Sequence, residues 1–189
     1  MNDFFEDLSA HSEPSEIIIA IINENKKLMS FWKSSFGWAP LSSATLLFKS
    51  RLDWQVSLSE SLIHWIHGKN ISNGDLILAW ANLGALVEGS LKLFLSIFYE
   101  DYRNDINCIK KKDKIINPDV LKFEQIRQFL KKSNLLNEHA FFIEKVQSRR
   151  NAIHAYQEKD IGNYNEFIGG LESYLDLILD IKSLLPDPN

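Results

Sequence analysis

A chain of 189 residues, 45% hydrophobic and 24% charged, has apolar material for one real core, and its 8 Gly and 5 Pro are too few for a turn-rich β sandwich, a collagen-like chain or a disordered linker. A single cysteine, Cys108, excludes an internal disulfide framework and a cysteine-based zinc cluster. The formal charge of −4, with pI about 5.7, argues against general coating of nucleic acid and leaves room only for a local basic site.

The acidic start, Met1 to Glu13, lacks the basic and then apolar pattern of a signal peptide, so a cytoplasmic protein is expected. Pro14-Ser15-Glu16 opens a first helix carrying Ile17, Ile18, Ile21, Ile22, Leu28, Met29 and Trp32, which Gly37 and Pro40 end. A second helix is expected from about Ser42 to His67, with Leu46, Leu47, Trp54, Leu58, Leu62, Trp65 and Ile66 on it and Gly68 at its C-cap. Ser72-Asn73-Gly74-Asp75 is a capping pattern that starts a third helix, lasting to about Tyr102. Its stretch Ile77 to Phe98 approaches a membrane span in length and apolarity. Asn82, Glu88 and Lys92 interrupt that stretch, and the last two are spaced for a helix ion pair, so a buried central helix is expected and no membrane span.

Arg103 to Asn117 is polar and lysine-rich, including Lys110-Lys111-Lys112, and reads as a loop. Asn117-Pro118 opens a short helix through Phe129 and Leu130. A fifth helix covers roughly Leu135 to Tyr156. A sixth starts at Asn163, with Glu166 three residues on, and reaches Leu185 before Pro186 and Pro188. No convincing period-2 run and no internal repeat is present. The expected fold is all-α: an up-down bundle of five to six helices in one domain, residues 1–41 forming an N-terminal extra helix and 42–185 the bundle core.

The chemistry-bearing stretch is Ser148-Arg149-Arg150-Asn151-Ala152-Ile153-His154-Ala155-Tyr156. At about 100° per residue, with Phe142 at the origin, Val146 and Ile153 mark a buried stripe. Arg149 and Tyr156 lie on one shoulder of that stripe, Arg150 and His154 on the other, with Asn151 one turn outside His154. An imidazole can take a proton from a 2′-hydroxyl or give one to a leaving oxygen, and a guanidinium can hold a phosphate and stabilise added charge. The set suits phosphodiester cleavage without metal or cofactor, in a groove shared with another subunit if the seam meets one. Arginines paired with carboxylates and a satisfied packing histidine are the competing explanation.

Arg149-x4-His154-x-Tyr156, with Asn151 inside it, resembles the signature of HEPN domains, and most closely the Arg-x4-His-x-Tyr form of HEPN toxins encoded beside a minimal nucleotidyltransferase antitoxin. The apolar run Leu83 to Lys92 is similar in flavour to an earlier helix of such domains, and the likeness covers roughly Ser42 to Leu185. The resemblance implies metal-independent RNA cleavage by a homodimer, with the motif helices of both copies lining one cleft. It implies catalytic roles for Arg149 and His154, and attachment of AMP to Tyr156 by the partner enzyme. In the family the polar residue usually follows the motif arginine directly. Here that dipeptide is Arg150-Asn151, only three residues before His154, so helix geometry favours Arg150 and family spacing favours Arg149. A non-catalytic HEPN-like scaffold or binding module is the alternative.

Lesser signals remain. His64 and His67 have a spacing that can bind zinc but lack a third ligand, and no metal is expected. The lysines between 110 and 114 can touch an RNA backbone or simply be solvated. Trp32, Trp38, Trp54, Trp65 and Trp80 fall mostly on apolar faces and are expected to pack. No glycine-rich phosphate loop, nucleophile elbow or paired-carboxylate site is visible.

Overall fold

The computed structural model describes residues 13–66, 71–154, 156 and 158–186, so the expectations for Met1–Ser12, His67, Gly68 and Pro188 lie outside the described residues. Among the described residues the fold is all-α apart from one small hairpin. Helix α4 (Asn73–Ile97) is its axis. Ser72 caps it, its Oγ accepting from the backbone N–H of Asp75 at 3.1 Å. Trp80, Leu83, Leu86, Val87 and Leu91 are fully buried around it, although this helix alone among the described residues is long and apolar enough to cross a membrane.

Around α4 pack α2 (Leu41–Lys49), α3 (Leu52–Glu60), α6 (Phe123–Lys132), α7 (Ala140–Arg150) and α8 (Tyr164–Leu184), and α1 (Pro14–Trp32) packs on α3 and α8. The stripe of α1, Ile17, Ile18, Ile21, Leu28 and Trp32, is buried in the same core as α4 and α8. Close approach requires glycine at two buried helix positions. A Cβ at Gly84 would sit 2.5 Å from Cγ of Arg150, and one at Gly170 would sit 2.9 Å from the Trp80 ring. The core also holds a polar knot. The fully buried Tyr174 hydroxyl lies 3.0 Å from Ser90 Oγ and accepts from Gln55 Nε2 at 3.2 Å. Burial pushes that phenol up to about 12.

Several elements differ from the expectation. The long second helix is broken at Ser50-Arg51 into α2, α3 and a 3-10 turn, Ser61–Trp65. In one unbroken helix Val56 and Ser59 would face roughly opposite to Leu46 and Leu47; the break turns all four inward. The third helix ends at Phe98 (φ −89°, ψ 37°), and a short α5 (Tyr99–Asn104) continues. The loop expected over Arg103 to Asn117 contains a hairpin of β1 (Lys110–Lys111) and β2 (Lys114–Ile115). Its turn residues Lys112 and Asp113 adopt left-handed φ without glycine, which hid it. The fourth helix begins only after a 3-10 turn, Pro118–Val120, and an extended Leu121-Lys122. The sixth is as expected, with Asn163 and Glu166 forming a reciprocal capping box.

Candidate functional site

The fifth predicted helix is where the structure redirects the candidate residues. It consists of a 3-10 turn (Asn137–His139), α7, and a second 3-10 turn over Asn151–His154. Phe142 and Val146 are buried as the α-helical period requires, but Ala152 is buried and Ile153 is 45% exposed. The tighter winding accounts for this. At three residues per turn Asn151 and His154 eclipse, roughly 6 Å apart along the axis, while Arg150 is displaced from His154 by about 120° rather than about 40°. The expected convergence of three residues becomes an aligned Asn151–His154 pair with Arg150 at its side. Asn151 is half-buried, His154 exposed.

The two arginines have different surroundings. Arg149 is 4% exposed. Its Nη2 donates to Glu166 Oε1 at 2.6 Å and lies 3.6 Å from Asp160 Oδ2, and its Cζ stands 4.8 Å over the Trp80 ring. Trp80 Nε1 donates to the carbonyl of Ile161 at 2.9 Å, so the segment before α8 straps over the guanidinium. Gly162 in that strap has φ +65°, and a Cβ there would come 2.5 Å from Arg149, so both backbone and space demand glycine. Among the described residues, Arg149 Nη1 is buried without a partner. The Arg149 hydrogen bond, with one from Lys145, holds the Glu166 carboxyl below its ordinary range against a smaller upward push from burial.

Arg150 is half-buried. Its stem crosses α4 at Gly84, and its Nη2 donates to Glu88 Oε2 at 3.1 Å. Glu88 also pairs with Lys92 at 2.9 Å, the ion pair expected from their spacing. Between Arg150 and α3, whose Gln55 donates to the carbonyl of Leu86, a strip of α4 is incompletely covered: Leu78, Ala81, Ala85, Glu88 and Lys92. Tyr156, two residues beyond His154, is fully exposed. Arg149 and Tyr156 therefore do not share an edge: one is inside, the other outside.

Of the lesser candidates, His64 is exposed and its expected zinc partner His67 lies outside the described residues. Trp32 and Trp80 are buried, Trp65 is half-buried and the partly exposed Trp38 packs on Phe31 and Trp32, so packing accounts for four of the five and Trp54 stands exposed beneath Arg51. A cluster missed from sequence joins Glu138, His139 and Asp180, whose ligand atoms lie within 4.8 Å of one another. His139 Nε2 hydrogen-bonds Asp180 Oδ2 at 2.7 Å, and Glu138 Oε1 is 4.0 Å away. The three can hold a divalent cation, but the His139–Asp180 contact already accounts for the geometry as a clasp from the start of α7 to α8. Forty-one residues separate its two halves, so no local spacing announced it.

No family model, no curated protein and no solved structure matches the chain.

Proposed function

We propose that the chain is a metal-independent ribonuclease of HEPN type, cytoplasmic, acting as a toxin or phage-defence effector through an Arg/His site at a homodimer cleft. The observation that carries this reading is His154. Its imidazole is exposed, has no hydrogen bond or ion pair to any described residue, and shares a face with Asn151 beside a guanidinium that is itself about one-third exposed. A packing histidine would be covered or paired.

In this reading His154 takes the proton of an RNA 2′-hydroxyl as that oxygen attacks the adjacent phosphorus, or protonates the 5′-oxygen as its bond to phosphorus breaks. Arg150 holds the phosphate and stabilises the charge that builds on it, and Asn151 orients the phosphate or the imidazole. The strip of α4 beside Arg150 is where a second copy would close the cleft. Arg149, buried against Trp80, acts as a positioning residue for the end of α7.

A second reading, a non-catalytic HEPN-like scaffold or binding module, draws on Arg149. The arginine that family spacing selects is engaged by Glu166 and Asp160, as an interface-ordering residue would be.

The test is cleavage of total RNA by the purified chain, with His154→Ala beside it. Fragments from the wild type and none from the variant are expected; equal cleavage by both, or none by the wild type at high concentration, removes the catalytic reading. A further expectation concerns Tyr156, whose exposure suits covalent modification. Coexpression with a minimal nucleotidyltransferase of the antitoxin type should raise the intact mass by whole AMP units, and Tyr156→Phe should abolish the rise. An unchanged wild-type mass in the presence of the active transferase excludes this role.

A further inference from the structure

Charge along the chain is segregated. Residues 103–132 contain nine Lys and Arg against four Asp and Glu, a net of +5, so the remaining residues carry −9 of a total of −4. The hairpin is the centre of the positive segment. Lys110, Lys111, Lys112 and Lys114 are all exposed, as are Lys131 and Lys132 at the end of α6, and none of the six is in an ion pair among the described residues.

Two features of the hairpin oppose its own stability. Lys111 and Lys114 are direct cross-strand partners, and like charges so placed repel. Lys112 (φ 49°) and Asp113 (φ 63°) hold left-handed conformations that cost a residue with a side chain of order 1 kcal/mol each. The hairpin is nevertheless fixed to the core. The hydroxyl of buried Tyr102 donates to the carbonyl of Ile116 at 2.8 Å and accepts from the N–H of Ile109 at 3.2 Å, clamping both strands at the base of the hairpin. Ile116 N–H also donates to the carbonyl of Ile109 at 2.8 Å. The backbone of Lys132 accepts from Asn107 Nδ2 at 3.4 Å, joining the end of α6 to the hairpin base. Four lysines are thus held on a clamped platform with no counter-charge pairing them among the described residues. A dense polyanion supplies that counter-charge.

We infer that the Lys110–Lys114 hairpin, with Lys131 and Lys132, is a docking site for the sugar-phosphate backbone of an RNA strand, engaged apart from the cleavage site. This rests on the ribonuclease reading for the choice of RNA. An anionic membrane suits the tip less well, because Lys111, Lys112, Asp113 and Lys114 offer no apolar side chain to insert. α6 and α7 run antiparallel, as the Arg127–Glu144 and Gln147–Glu124 bonds show, so the end of α6 lies near the start of α7. His154 is at the other end, about 25 Å along the helix by its rise per residue. A strand that reaches both sites spans several nucleotides, so the hairpin should favour long RNA over short.

The experiment measures binding of fluorescein-labelled 20-nucleotide and 6-nucleotide RNAs to the full chain across a salt series, in a His154→Ala background that prevents cleavage. In that background Lys110, Lys111, Lys112 and Lys114 are changed together to Gln. Each phosphate contact on a single strand contributes about 0.7 to the slope of log K against log salt, so the slope for the 20-mer should fall by about 2 to 3 and affinity at least tenfold. The 6-mer should change little, and the corresponding Lys→Arg variant should retain wild-type binding. If the Gln variant fails to fold, Lys131→Gln with Lys132→Gln supplies the same readout with a smaller slope change. Unchanged affinity and slope for the 20-mer, or binding to anionic phosphatidylserine vesicles without binding to RNA, overturns the inference. Cleavage by the parent chain with unchanged binding by the Gln variant removes the hairpin site alone. Hairpin-dependent binding without cleavage by the parent removes the ribonuclease alone. Absence of both removes both.

Discussion

Glu166→Gln is expected to destabilise the fold by about 3 kcal/mol, because it leaves the Arg149 guanidinium buried without its principal counter-charge. Arg149 is 4% exposed, and among the described residues its Nη1 is already unpartnered and its remaining acidic neighbour, Asp160, lies at 3.6 Å on an exposed loop. Glutamine keeps the acceptor that closes the capping box on Asn163, so the loss reports charge rather than the cap. For a chain of this size the melting temperature should fall by about 6 to 12 °C. Adding Arg149→Met to Glu166→Gln should recover most of the loss, since an apolar side chain can fill the space over Trp80 with no charge to compensate. Thermal denaturation of the four chains of this cycle is the check. If Glu166→Gln melts within 2 °C of the parent, Arg149 is not held as described.

The same pair fixes a pH dependence. The hydrogen bond from Arg149 lowers the Glu166 carboxyl in the folded state, so the contribution is present above the unfolded value, about 4.3, and is lost as pH falls through the lower folded value. Glu124 moves the same way, held down by Arg127 first and by Gln147 and Gln128 beside it. Stability should therefore be flat near neutrality and fall in acid. The fall should be shallower in Glu166→Gln.

Much of the fold was legible because helix termini are written in local chemistry. Ser72 before Asp75, Asn163 before Glu166, and the scarcity of glycine and proline inside the apolar runs mark elements that the structure contains. The breaks at Ser50-Arg51, Phe98 and Leu121-Lys122 carry no glycine, and each lies within a stretch that reads as one continuous helix: Val56, Tyr102 and Phe123 are buried beyond them against neighbours that sequence does not reveal. The motif was legible as residue types and not as geometry. Arg149 lay only about 20° beyond Phe142 at the edge of the buried stripe, so position allowed burial and residue type argued against it. What reconciles them is Glu166, seventeen residues away across the strap. The change to 3-10 winding after Arg150 has no sequence punctuation, and it is what exposes Ile153 and aligns Asn151 with His154.

That change also separates the two arginines into a testable contrast. Arg150→Ala should lower RNA cleavage about 10²- to 10³-fold, the loss seen when a donor to developing transition-state charge is removed. Its effect on melting should be small. Glu88 keeps Lys92 at 2.9 Å as an ion-pair partner, and Arg150 is already about one-third open to solvent. Arg149→Lys should do the reverse. A lysine cannot reproduce the planar stack on Trp80 together with the hydrogen bond to Glu166, so melting should drop by several degrees. Cleavage below the new melting point should stay within about threefold of the parent, because a residue shielded from solvent by Trp80 and the strap does not touch RNA. Single-turnover cleavage at a temperature where every variant is folded separates the two effects. A stable Arg150→Ala with full activity, beside a folded Arg149→Lys with none, would return the catalytic role to Arg149 and require the strap over it to open when RNA binds.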